Sequence, residues 1–131
     1  MSARNYEELA ERHGIVLLLQ FGSTVTGTAH PRSDLDLAVF LDRTSISFEA
    51  FERLQDDLQA LNPGRTVDLV VLNRADPLLF KKVTESCRIL YGPKRKLHEL
   101  EMLAFKQYQD HRRYFELERR YVDRVFGIER R

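Results

Sequence analysis

Residues 21–40 constrain the fold of this 131-residue chain more than any other stretch. Gly22-Ser23 follows the apolar run 15–21, and Asp34-Leu35-Asp36 comes ten residues later and leads into a second apolar run that ends at Leu41. The first run does not alternate between apolar and polar residues, which is typical of a strand buried on both faces. The pattern therefore predicts a strand, a tight polar turn, a short helix or loop, and a second strand.

The two aspartates and the Gly-Ser pair predict a site for a metal ion and a phosphate. Alternate residues of a strand point to the same face, so Asp34 and Asp36 should place two carboxylates side by side. Such carboxylates repel each other unless a cation lies between them, and Mg2+ prefers oxygen ligands. The turn at Gly22 and Ser23 opens a helix and offers backbone N–H groups to an anion. Together these features favour chemistry on a nucleoside triphosphate.

A third acid, Asp68, lies in the predicted strand Thr66 to Leu72 and shares a face with Val70 and Leu72. Burying an unpaired charge among aliphatic residues is unfavourable, so this acid needs a partner. It belongs with Asp34 and Asp36 if the two strands are adjacent; the alternative is a structural ion pair with a neighbouring arginine such as Arg65. Three carboxylates match a two-metal transfer reaction, in which one ion holds the triphosphate and the other activates the attacking hydroxyl.

The rest of the chain alternates between helix and strand signals, and these predict an α+β (α/β) fold with a small mixed sheet of three or four strands. Asn5 is expected to cap a first helix that ends at Gly14, and Asp76-Pro77 opens a later helix. Ser47 is expected to cap a helix with the apolar stripe Phe48, Phe51, Leu54, Leu58 and Leu61. An edge strand is predicted at Arg88 to Tyr91, and a long helix from about Leu97 to Phe126.

Composition narrows the class of protein. The chain is 43% apolar and 31% charged with a net charge of +1, which is typical of a globular protein and gives no overall electrostatic attraction to nucleic acid. We therefore expect no direct nucleic-acid binding. The single cysteine, Cys87, excludes an internal disulfide, and no apolar run is long enough to span a membrane. A cytoplasmic location is expected.

The spacing Gly-Ser, ten residues, Asp-x-Asp resembles the signature of the DNA polymerase β-like nucleotidyltransferases. The short chain is similar to the minimal nucleotidyltransferases (MNT), the antitoxins paired with HEPN-domain toxins. The resemblance implies a nucleotidyltransferase fold over residues 1–93 and a C-terminal helical extension over 94–131, packed on the same domain. It implies Asp34, Asp36 and Asp68 as catalytic and metal-binding residues, with two Mg2+ ions. Gly22, Ser23 and Ser33 would contact the co-substrate ATP.

The implied function is transfer of AMP from ATP to a tyrosine hydroxyl of a partner HEPN toxin. Two alternatives remain open: an antitoxin that only occludes its partner, and a nucleotidyltransferase with a small-molecule acceptor. Thr26 stands where many members carry an arginine, which keeps the occluding antitoxin in consideration. Residues 1–93 hold 10 basic and 13 acidic residues, whereas residues 94–131 hold 11 and 7. This reversal of charge and the long apolar stripe predict that the last helix is an interface.

Overall fold

The computed structural model describes residues 3–22, 25 and 34–127. Four strands occur in this part of the chain: β1 (Ile15–Phe21), β2 (Leu35–Leu41), β3 (Val67–Val71) and β4 (Cys87–Tyr91). The longer helices are α1 (Ala3–His13), α2 (Phe48–Leu61), α3 (Pro77–Glu85) and α4 (Lys94–Phe126), and a 3-10 turn covers Leu72–Arg74.

The strands form one mixed sheet in the order β3-β2-β1-β4. β1 is antiparallel to both β2 and β4, and β2 is parallel to β3. The predicted α+β class with a small mixed sheet is confirmed, and so is the edge position of the last strand. The third strand is shorter than predicted because Leu72 belongs to the 3-10 turn.

Helices cover both faces of the sheet, as the alternation along β2 requires. Leu35, Leu37, Val39 and Leu41 face a core shared with α1 and α2. The opposite face carries Asp36 at one end of the strand and Ala38 and Phe40 further along, and its core includes α3 and the first turns of α4. The acidic positions therefore lie on the face covered by α3 and α4, at the end of the sheet where β1 ends and β2 begins.

Most of the predicted helix ends are confirmed. The Ser47 hydroxyl accepts a hydrogen bond from the Ala50 N–H (3.1 Å), and the Asp76 carboxylate accepts one from Leu79 (2.9 Å). Gly14 adopts the left-handed conformation that ends α1 (φ 68°).

Two expectations about helices were wrong. α1 already begins at Ala3, so Asn5 lies inside the helix and does not cap it. Phe48 is 71% exposed at the start of α2, because the buried residues of this helix are Leu54 and Leu58, six and ten residues later.

α4 is one continuous helix of 33 residues that ends at Gly127, whose φ is 64°. Its first turns are anchored in the core by Leu97, Leu100 and Ala104. The helix runs antiparallel to α3, since Lys81 lies over the Tyr108 ring (4.9 Å to the centroid) while Thr84 lies beside Ala104. From residue 109 onward nearly every side chain is exposed. Among the described helices none combines the length and apolarity needed to cross a bilayer.

Candidate functional site

A row of four residues crosses the sheet at its acidic end. Asp36 on β2 is the register partner of Asp68 on β3 and of Phe21 on β1, and Phe21 is in turn the partner of Cys87 on β4. Register partners point to the same face of a sheet, and neighbouring strands lie about 4.8 Å apart. The row therefore brings Asp36 and Asp68 side by side on the face covered by α3 and α4.

The three acids predicted from the sequence meet at this end of the sheet. Asp34 precedes β2 and is exposed, Asp36 is half-buried, and Asp68 is exposed on the edge strand. Burial raises the pKa of Asp36, and the negative charges of Asp68 and then Asp34 raise it further. Each neighbouring carboxylate thus makes ionisation of Asp36 less favourable.

Within the described part of the chain, no ion pair joins Asp34, Asp36 or Asp68 to a basic side chain. Unpaired carboxylates that repel one another are the donor set that a hard divalent cation such as Mg2+ takes. Within residues 3–22 and 34–127, no three His, Cys, Asp or Glu side chains form a group that could hold a metal ion as they stand.

Gly22 brings the backbone after β1 directly against the Asp36 carboxylate. Its φ is 78°, a conformation that residues with a side chain rarely adopt. A Cβ atom at this position would collide with Asp36 Oδ2 and would lie 3.1 Å from its Cγ. Both the positive φ and the lack of room for a Cβ atom beside Asp36 therefore require glycine. Ser23, Thr26 and Ser33, which the sequence also singles out, lie outside the described residues.

Gln59 on α2 fixes the start of β3, directly before Asp68. Its side-chain oxygen accepts a hydrogen bond from the Val67 N–H (2.8 Å), and its amide donates to the Arg65 carbonyl (2.6 Å). Gln55, one turn earlier, donates to the Val67 carbonyl (3.3 Å). The side chains of Gln55 and Gln59 thus hold the backbone at the start of β3 by hydrogen bonds, and this positions Asp68. Sequence reasoning missed them, and the only available signal is two glutamines four residues apart on one helix face.

A second overlooked contact joins β1 and β4 at the same end of the sheet, on the face opposite the acids. Arg88 donates a hydrogen bond from Nη2 to Oε1 of Gln20 (2.7 Å). Gln20 is only 8% exposed, so this bond satisfies a buried polar group. The pair ties the edge strand β4 to β1 beside Gly22.

Residues 5–96 match the family described as "Polymerase beta, Nucleotidyltransferase". This range includes all three acids and Gly22. No curated protein sequence matches the chain.

Solved structures share the fold over nearly the whole chain. A chain from the crystal structure of a toxin–antitoxin with AMP-PNP is 23% identical, with a TM-score of 0.74 over 98% of this chain and 100% of that one. A chain from the complex of tri-AMPylated Shewanella oneidensis HEPN toxin with MNT antitoxin is 20% identical, with a TM-score of 0.67 over 96% of each chain.

A more distant likeness is to spectinomycin adenyltransferase AAD(9) from Enterococcus faecialis, solved with ATP and spectinomycin. That protein is 14% identical, with a TM-score of 0.56 over 74% of this chain and 57% of that one. At these identities the likeness establishes a shared fold. The nucleotidyltransferase fold that the sequence predicted is thereby confirmed.

Proposed function

Because the chain belongs to the polymerase β nucleotidyltransferase family, we propose that it is an Mg2+-dependent antitoxin that transfers AMP from ATP to a tyrosine hydroxyl of a partner HEPN toxin. The modification neutralises the toxin. The observation that carries the proposal is the row in which Asp36 and Asp68 are register partners with Asp34 beside them.

Each acid has a role in this proposal. Asp34 and Asp36 would hold the cations, and the cations would supply neutralisation of the triphosphate charge and activation of the attacking hydroxyl. Asp68 would hold the cation on the side of the acceptor tyrosine, and its carboxylate accepts the phenolic proton. The tyrosine oxygen forms a bond to the α-phosphorus of ATP, the bond from that phosphorus to the bridging oxygen breaks, and pyrophosphate leaves. Gly22, Ser23 and Ser33 hold the phosphates through backbone and hydroxyl groups.

Relatives support ATP as donor and a HEPN toxin as acceptor. One structure with the same fold holds AMP-PNP, and another contains an AMPylated HEPN toxin. A cytoplasmic location, where ATP and Mg2+ are abundant and the single Cys87 stays reduced, fits this chemistry.

We propose residues 1–93 as the catalytic domain and residues 94–131 as the extension that docks the toxin. The exposed half of α4 carries a broad apolar surface that residues 1–93 leave uncovered. Its largest members are Tyr114 (64% exposed), Phe115 (54%), Leu117 (59%), Tyr121 (60%), Val125 (55%) and Phe126 (73%). An uncovered apolar surface of this extent is typical of a protein interface.

The test is incubation of the protein with labelled ATP, Mg2+ and its HEPN partner. Label on the toxin supports the transferase. An inhibited but unlabelled toxin supports the alternative, an antitoxin that only occludes its partner; the specific observation in its favour is Thr26, which stands where many members carry an arginine. The third possibility, a small-molecule acceptor, is supported only by the distant likeness to spectinomycin adenyltransferase. Label on an added aminocyclitol in place of the toxin would support it.

A further inference from the structure

A cavity of about 410 Å³ lies between α3 and α4, apart from the acids. Lys81, Thr84 and Glu85 line it from α3, and Glu101, Ala104 and Phe105 line it from α4. Nothing in the proposed transfer chemistry uses these residues. The volume is sufficient for a flat heterocyclic group, and the cavity is open to solvent on one side.

The sheet register relates this cavity to the acids. Cys87, two residues after the end of α3, packs against the core on the α3 and α4 face. The Cys87 thiol donates a weak hydrogen bond to the backbone carbonyl of Thr84 (3.7 Å), and Thr84 lines the cavity. Burial raises the pKa of the Cys87 thiol, and the negative charge of Glu101 raises it further. Cys87 and Asp36 are separated in the row only by Phe21, which places them about 10 Å apart at two strand spacings. In a purine nucleotide, the distance from the α-phosphate to the far edge of the base is of the same order.

The lining offers a ring surface and a hydrogen-bond acceptor. Phe105 lines the cavity and is 58% exposed, although the neighbouring Ala104 is buried, so more than half of its surface is accessible to a ligand. Glu101 lies one helical turn before Phe105 on the same flank of α4. Of the two carboxylates, Glu85 is bound to Lys81 Nζ (2.9 Å), whereas the one ion pair of Glu101 among the described residues is with the exposed His98, at a longer 3.4 Å.

We propose that this cavity binds the base of the nucleotide: the Phe105 ring stacks on a purine and the Glu101 carboxylate accepts a hydrogen bond from its exocyclic amino group. The inference rests on the proposed function, and it assigns two residues that select ATP. Aromatic rings stack on any base, whereas a carboxylate discriminates in favour of a base that donates an N–H. Phe105 therefore supplies affinity and Glu101 supplies selectivity.

The test compares Phe105→Ala and Glu101→Leu with two controls on the same helix, Met102→Ala (73% exposed) and Glu99→Leu (side chain 55% exposed). Calorimetry with Mg2+ measures the Kd of three probes: ATP, purine riboside triphosphate, which lacks the amino group, and inorganic tripolyphosphate. Phe105→Ala should weaken both nucleotides about tenfold. Glu101→Leu should weaken ATP about tenfold and leave purine riboside triphosphate unchanged. Neither variant should alter tripolyphosphate binding, and the controls should match the wild-type protein throughout.

Several outcomes would overturn the assignment without touching the transferase proposal. One is equal affinity of the wild-type protein for ATP and tripolyphosphate; another is unchanged ATP binding by both variants while toxin labelling persists. If the variants retain ATP binding but no longer co-elute with the toxin, the cavity is part of the protein interface and the base lies elsewhere. Failure of the transferase proposal looks different, because the wild-type protein would then bind ATP and the toxin yet label nothing. Melting curves of all four variants exclude unfolding as the cause.

Discussion

The position that a Cβ atom of Gly22 would occupy is already filled by the carboxylate of Asp36. The backbone of Gly22 and the carboxylate of Asp36 are thus in contact at the point where the proposed phosphate-binding turn begins. Gly64 provides a matched comparison, since it has a similar positive φ of 89° and nothing within 4 Å of its Cβ position.

Gly22→Ala and Gly64→Ala should therefore separate backbone strain from damage to the site. Both should lower the free energy of unfolding by roughly 1–2 kcal/mol, because a side chain is strained at positive φ. Only Gly22→Ala should also displace Asp36 and reduce AMP transfer by at least about tenfold. Urea denaturation and initial transfer rates measure the two effects. Equal activity of the two variants would show that the contact with Asp36 has no role in catalysis.

Asp36→Asn should stabilise the protein in the absence of metal at neutral pH. The folded-state pKa of Asp36 is raised, so the folded protein holds the proton more tightly than the unfolded chain does. The stability contributed by that proton is complete below the unfolded pKa of 3.8 and is lost as pH rises through the higher folded pKa. The variant should therefore melt above the wild-type protein at pH 7 and close to it at pH 3.

The same melting curves test metal binding. Mg2+ should raise the Tm of the wild-type protein by binding only its folded state, and it should have little effect on Asp36→Asn. Asp42→Asn is the control, since Asp42 is an exposed acid at the far end of β2. A wild-type Tm that does not respond to Mg2+, or an Asp36→Asn variant that responds as strongly, would mean that the metal site is wrongly assigned.

Asp68→Asn should reduce the transfer rate about 10²- to 10⁴-fold through loss of a proton acceptor and metal ligand. The side chain keeps its size and is exposed, so fold and toxin affinity should be retained. Single-turnover transfer and co-elution with the toxin provide the two readouts. Loss of binding in proportion to transfer would instead make Asp68 a structural residue of the edge strand.

Deletion of residues 112–131 should weaken toxin binding about a hundredfold or more, as expected when several aromatic contacts are removed at once. The Tm should change little, because the core contacts of α4 end at Ala104 and the described residues of 112–127 are exposed apart from Val122 and Asp123. Affinity is measured by calorimetry against the toxin, with ATP binding as the test that the body is intact. Should the shortened protein bind as tightly as the full chain, the toxin contacts the mouth of the acidic site and not the extension.

Local sequence patterns predicted the framework well. The bounds of β1 and β2 follow from apolar runs bordered by Gly22 and Asp34, and the caps at Ser47 and Asp76 follow from side chains that compete for free N–H groups. To predict that Asp36 lies beside Asp68, one must also know that β2 and β3 pair in parallel.

Features that depend on distant contacts could not be predicted from such patterns. The Gln20–Arg88 pair acquires its role only when strands from remote parts of the chain come together, and Gln59 acquires its role only when α2 packs beside the start of β3. The apolar stripe of α4 continues beyond Ala104 without a change in pattern. The sequence therefore does not show where residues 1–93 stop covering the helix. The position of Phe48 was mispredicted for the same reason. Helical periodicity identifies the apolar side of a helix, but it does not show how far along the helix the neighbouring elements cover that side.

Tandem mass spectrometry of the partner toxin after reaction with ATP and Mg2+ tests the central claim most directly. The account predicts AMP on a tyrosine of the toxin with the wild-type protein, and an unmodified toxin when Asp36→Asn replaces it or when Mg2+ is chelated. Asp42→Asn should modify the toxin at the wild-type level. A toxin that is bound and inhibited by the wild-type protein but carries no AMP on any tyrosine would contradict the account.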